Sequence, residues 1–105
     1  MDEIGRLGVH LLVQAVLVWT GWGQAPKPLR DDARLTDRFG EELALELVPL
    51  IRRLQSEFYE SDAYNTVEDP GEMGAEAARR FRALHPELPA DVAEAFAWCY
   101  TYDWK

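Results

Sequence analysis

Apolar residues recur along the chain at the three- and four-residue spacing that places side chains on one face of an α-helix. The predicted helices cover residues 2–19, 37–60, 70–84 and 89–102. The rival interpretation of residues 9–20 is a strand, because that run is rich in valine. The pattern predicts an all-α fold in one compact domain over residues 1–105, with four helices, or five if Pro49 splits the second one.

The second predicted helix carries an apolar stripe that continues for about five turns. The stripe consists of Phe39, Leu43, Leu47, Leu50, Leu54 and Phe58. Thr36 or Asp37 would cap its start, because both side chains accept hydrogen bonds from backbone N–H groups. Pro49 lies inside the stripe, where it removes one backbone donor and clashes with the preceding turn. We therefore expect a kink or a split near Pro49.

The third predicted helix has the clearest start. Asp69 precedes Pro70, and Glu72 stands three residues after Asp69, which is a capping-box arrangement with proline at the first helical position. The helix should end at His85, since a residue before proline avoids the helical region. Its expected buried face contains Met73, Ala77, Phe81 and Leu84.

Aromatic residues alternate with other residues near the end of the chain, at positions 98, 100, 102 and 104. Such alternation is the period of a strand, but we expect the fourth helix to continue to about Tyr102 and the aromatic end to pack on the core. In a helix these side chains point in several directions, so some must be exposed or lie in an interface. The predicted interface aromatics are Trp22, Trp98, Tyr102 and Trp104.

The composition limits the classes of function. The 105 residues carry a formal net charge of −8, so the chain lacks the basic face that nucleic acids and anionic membranes attract, and neither is an expected partner. A single cysteine cannot form an internal disulfide, and the acidic start does not resemble a secretory signal. We therefore expect a cytoplasmic protein. Abundant Ala and a preference for Arg over Lys are typical of a GC-rich bacterial genome.

The negative charge is concentrated in one part of the chain. Residues 1–40 carry five acidic and five basic residues, whereas residues 41–105 carry 14 acidic and six basic ones. Residues 57–76, here called the acidic segment, contain seven acidic residues and no basic one. Carboxylates mixed with tyrosines suit an Arg-rich surface, through charge attraction and cation–π contacts. The predicted partner-binding residues are Glu57, Tyr59, Glu60, Asp62, Tyr64, Glu68, Glu72 and Glu76.

Residue patterns typical of catalysis or metal binding are missing from the sequence. No Glu-x-x-His occurs, so the di-iron site of helical bundles is not expected. One Cys and two His cannot fill a four-ligand zinc cage. Cys99 stands near a helix C-terminus with no base close in sequence, which favours a small core residue over a nucleophile. We predict no catalytic residue, no metal and no cofactor.

The sequence thus predicts a small, acidic, non-catalytic domain that binds a basic protein surface. One alternative is an enzyme or small-ligand-binding domain with a pocket between helices, lined by Trp19, Phe58, Tyr100 or His10. Another alternative is a structural domain that forms a homodimer and covers its surplus aromatic side chains.

Overall fold

The computed structural model describes residues 8–60 and 69–104, which form five α-helices and no strand. The helices are α1 (Val9–Thr20), α2 (Asp32–Phe39), α3 (Glu41–Tyr59), α4 (Pro70–Leu84) and α5 (Ala90–Trp104). The predicted all-helical fold is therefore confirmed, and the strand interpretation of residues 9–20 is wrong. The part of the first predicted helix before residue 8 lies outside the described residues.

Helix α1 lies against α2, α3 and α5, and most of its circumference is buried. It ends at Gly21, whose φ of 80° is in the left-handed region that glycine adopts without strain. The indole N–H of Trp19 donates a hydrogen bond to Oδ1 of Asp32 over 2.8 Å. This bond connects the end of α1 to the first residue of α2.

Among the described helices, none combines the length and the apolar character that a membrane-spanning helix needs.

The region predicted as one helix over residues 37–60 forms two helices, and the break lies at Gly40 rather than near Pro49. Gly40 has φ 90° and ψ 157°, a conformation that residues with a Cβ atom rarely adopt. The chain therefore leaves one helix and enters the next at this residue. Helix α3 continues through Pro49, which lies on its exposed side.

The start of this region also differs from the prediction. Helix α2 begins at Asp32, because the side chain of Asp31 accepts a hydrogen bond from the N–H of Ala33 over 3.0 Å. Thr36 and Asp37, the predicted caps, lie inside α2 and are exposed. The N-cap is therefore Asp31, five residues before the predicted cap Thr36.

Helices α4 and α5 form an antiparallel pair joined by residues 85–89. The start of α4 agrees with the prediction, since the side chain of Asp69 accepts a hydrogen bond from the N–H of Glu72 over 3.1 Å. Helix α5 runs two residues beyond the predicted end at Tyr102, so the alternating aromatic residues are helical. Leu84 is 65% exposed rather than buried, because it is the last residue of α4.

The core contains an aromatic cluster centred on Phe58 of α3. Its ring centroid lies 5.5 Å from that of Phe81 in α4. The rings of Phe96 and Tyr100 in α5 lie 5.9 and 5.7 Å away. These four side chains are at most 2% exposed, so they join three helices through a region without water-accessible surface.

Candidate interaction surface

The structure pairs several members of the acidic segment with other residues of the chain. Nε2 of His85 lies 2.7 Å from Oε1 of Glu57. Oε2 of Glu76 accepts hydrogen bonds from Arg79 and from Nε of Arg80, the latter over 2.8 Å. These bonds, first from Arg79 and then from Arg80, hold the pKa of Glu76 below its usual range. The charge of the segment is therefore partly compensated within the chain.

The acidic residues of the segment are also spread along the molecule. Glu57 contacts the C-terminal end of α4 through His85, whereas Glu72 lies in the first turn of that helix. Thirteen residues of helix separate these two ends, which is roughly 20 Å. Glu60 and Glu72 are exposed, and the predicted binding residues Asp62, Tyr64 and Glu68 lie outside the described residues. The structure thus does not bring Glu57 and Glu72 into one patch.

Tyr59 takes part in a network with Arg30 and Asp103. Arg30 donates two hydrogen bonds to the carboxylate of Asp103, over 2.7 and 2.9 Å, and the hydroxyl of Tyr59 donates to the same group over 2.6 Å. Arg30 holds the pKa of Asp103 below its usual range. Burial, followed by the bond to Asp103, raises the pKa of Tyr59. The hydroxyl of Tyr59 is therefore engaged within the chain.

The predicted interface aromatics differ in exposure. Tyr102 is 45% exposed, whereas Trp22 is half-buried and packs against the core. Trp98 is half-buried and lines a groove of about 600 Å³ between α4 and α5. The side chain of Trp104 lies outside the described residues. Tyr102 and Trp98 thus retain surface that a partner could contact.

The residues predicted to line a ligand pocket do not form one together. Trp19, Phe58 and Tyr100 are at most 2% exposed, and His10 is exposed, so these side chains do not line one pocket that opens to solvent. Cys99 is fully buried, and this burial raises the pKa of its thiol to about 11. At neutral pH the thiol is therefore protonated and a poor nucleophile. Within residues 8–60 and 69–104, no three His, Cys, Asp or Glu side chains converge on a metal position.

Leu45 in α3 is a surface feature that the sequence analysis did not single out. It is 73% exposed, more than any other large apolar residue that the structure describes. The stripe residues on either side of it in sequence, Leu43 and Leu47, pack toward the core. The signal was present in the sequence, because Leu45 lies off the apolar stripe and close to Glu42 and Glu46.

Two grooves meet at Leu45. The first, of about 420 Å³, lies between α2 and α3 and is lined in part by Val48 and Pro49. The second, of about 800 Å³, surrounds the first turns of α3 and includes Phe39. Glu41 and Leu45 line both grooves, so they form the ridge between them. The residues that line the two grooves are called the Leu45 face below.

Carboxylates surround the apolar part of the Leu45 face. They are Asp32, Glu41, Glu42 and Glu46, and none of the described residues lining either groove is Lys or Arg. Asp32 is held in place by Arg52, which donates a hydrogen bond over 2.8 Å, and by the indole of Trp19. These two bonds, first that from Arg52 and then that from Trp19, lower the pKa of Asp32. The face thus combines exposed apolar surface with negative charge.

No protein-family model, no curated protein and no solved structure matches this chain.

Proposed function

We propose that this chain is a small, non-catalytic interaction domain that binds a basic protein surface. The observation that carries the proposal is the Leu45 face, where a 73% exposed leucine stands among four carboxylates, of which Asp32 is bonded to Arg52. Exposed apolar side chains supply affinity when they are buried in an interface, and charges around them select the partner. A basic partner surface that also carries apolar side chains would bury Leu45 and pair with the carboxylates around it.

The charge of the whole chain supports the same class of partner. The net charge of −8 attracts positively charged molecules over a screening length of about 8 Å at physiological salt. The exposed Glu60 and Glu72 of the acidic segment add to this attraction, although Glu57 and Glu76 are paired within the chain. The acidic segment is therefore a second candidate surface for the same partner.

Charge reversal distinguishes the two surfaces. Two double variants, Glu41→Lys with Glu42→Lys and Glu60→Lys with Glu72→Lys, change the net charge equally at exposed positions. A third, Asp91→Lys with Glu94→Lys, makes the same charge change on α5, where Glu94 lines the groove beside Trp98, and thus serves as a control that also tests that groove. Proteins captured from the native host at roughly 50 mM and 300 mM NaCl are identified and purified, and their affinity for each variant is measured.

We expect the wild-type chain to retain a basic protein at roughly 50 mM NaCl and to release it at roughly 300 mM NaCl. The variant at Glu41 and Glu42 should weaken its binding about tenfold or more, because like charges then face each other, while the α5 control should lose much less. A larger loss at Glu60 and Glu72 would assign the binding to the acidic segment. If no basic protein shows salt-sensitive binding, the proposed function is wrong.

A further inference from the structure

We infer that the Leu45 face binds a basic amphipathic helix of the partner, whose apolar side chains pack on Leu45 and whose Lys or Arg residues face the surrounding carboxylates. The inference rests on the proposed function and adds to it the shape and chemistry of the docking element. The groove that Val48 and Pro49 line lies between α2 and α3, and an amphipathic helix can lay its apolar face into such a groove.

Exposure alone does not make Leu45 a docking residue, because single exposed leucines are common on protein surfaces. Leu84 provides the comparison within this chain. It is 65% exposed, close to Leu45, but it is not among the described residues that line the two grooves. Leu45 stands between two concave surfaces, with Val48 and Pro49 on one side and Phe39 on the other. An apolar side chain of a partner can therefore enter beside it and exclude water.

Pro49 removes one backbone hydrogen-bond donor from the helix on the same face. In an α-helix the N–H of each residue bonds to the carbonyl oxygen four positions earlier, and proline has no N–H. Pro49 therefore does not supply the usual donor to the carbonyl of Leu45. Both residues line the groove between α2 and α3.

The charges favour a basic helix over a second copy of the chain. Two-fold pairing of this face would bring Glu41, Glu42 and Glu46 of one copy close to the same residues of the other. Like charges across an interface oppose association, and none of the described lining residues is Lys or Arg. Arg52, which contacts the face, is already bonded to Asp32. A helix with Lys or Arg beside its apolar stripe supplies the missing positive charge.

The test uses the full chain and two synthetic peptides of about 16 residues with identical composition. In one peptide, Leu residues recur at helical spacing and Lys residues fill the other face, whereas the second has the same residues in scrambled order. Fluorescence anisotropy measures their affinities for the wild-type chain, for Leu45→Ser and for Leu84→Ser. Circular dichroism and light scattering establish the folding and the mass of each chain.

We expect the amphipathic peptide to bind about tenfold tighter than the scrambled one, since only the former can bury its leucines together. Leu45→Ser should remove most of this difference, and Leu84→Ser should leave it unchanged. Equal binding of both peptides, unaffected by Leu45→Ser, would overturn the inference but leave the proposed function standing. Absence of binding to either peptide would count against both. A dimer that Leu45→Ser dissociates would assign the face to a second copy and overturn the inference.

Discussion

At the residue scale, Arg30 shows how a short loop is held in place. Its φ of 50° is uncommon for a residue with a side chain, and a bidentate bond to Asp103 accompanies it. Tyr59 donates to the same carboxylate, so the loop before α2, the end of α3 and the last turn of α5 meet at one group. The contribution of this network depends on the negative charge of Asp103.

Asp103→Asn should lower the free energy of unfolding at pH 7 by about 1 kcal/mol, a modest amount because both partners are partly exposed. Since Arg30 lowers the folded-state pKa of Asp103, the contribution of the carboxylate is fully present above the unfolded-state pKa of about 3.9. It is lost as the pH falls through the lower folded-state pKa. Urea denaturation of both chains should therefore show a difference at pH 7 that is smaller at pH 2.

Asp37→Asn is the control, because Asp37 is exposed on α2 and is not a member of this network of Arg30, Tyr59 and Asp103. Its effect on the free energy of unfolding should be small at both pH values. A difference between wild type and Asp103→Asn that is the same at pH 7 and pH 2 would show that the charge of Asp103 does not stabilise the fold.

At the element scale, the contact between α4 and α5 depends on a glycine. A Cβ atom at Gly74 would overlap Oγ1 of Thr101 and would lie 3.3 Å from the carbonyl oxygen of Ala97. The absence of a side chain therefore lets the two helices approach closely. The same substitution on an open helix surface would be favourable, since alanine has the higher helix propensity by about 1 kcal/mol.

Gly74→Ala should lower the free energy of unfolding by about 1–3 kcal/mol, because the added methyl group forces the helices or Thr101 to move. In a Thr101→Ala background the obstructing oxygen is gone and the 3.3 Å contact with the carbonyl oxygen of Ala97 remains, so the same substitution should cost much less. Urea denaturation of the four chains of this double-mutant cycle measures the coupling. An equal effect of Gly74→Ala in both backgrounds would show that Thr101 does not limit the approach of the helices.

At the scale of the whole molecule, the excess of negative charge opposes folding. A net charge of −8 is held in a smaller volume in the folded chain than in the unfolded one, so mutual repulsion lowers stability. Added salt screens this repulsion more than it weakens partly buried pairs such as that of Arg30 with Asp103.

Raising NaCl from roughly 10 to 200 mM at pH 7 should therefore increase the melting temperature by about 3 °C. Calorimetry measures the change, and the same salt step at pH 4.6, the pI of the sequence, is the control. There the net charge is near zero and the increase should vanish. A melting temperature that falls with salt at pH 7 would show that local ion pairs outweigh the overall repulsion.

The sequence predicted the surface chemistry less well than the helices. The acidic segment was recognised as a run of carboxylates, but its pairing of Glu57 with His85 joins residues 28 positions apart. Such pairs depend on how α3 crosses the end of α4, which a linear pattern does not contain. The Leu45 face likewise requires the angle between α2 and α3, because its first groove lies between them.

The residue pattern was enough to predict the helical class, the bounds of α4 and most of the buried positions. These features depend on local rules, namely the 3.6-residue period, the cap at Asp69 and the proline that follows it. Tertiary structure alone decided the break at Gly40, the contact of Gly74 with α5 and the partners of the charged side chains. The apolar stripe stays in phase across Gly40, so the periodicity conceals the break. The break occurs because Gly40 adopts backbone angles that glycine permits. The packing of α2 on α1 and α3 favours these angles.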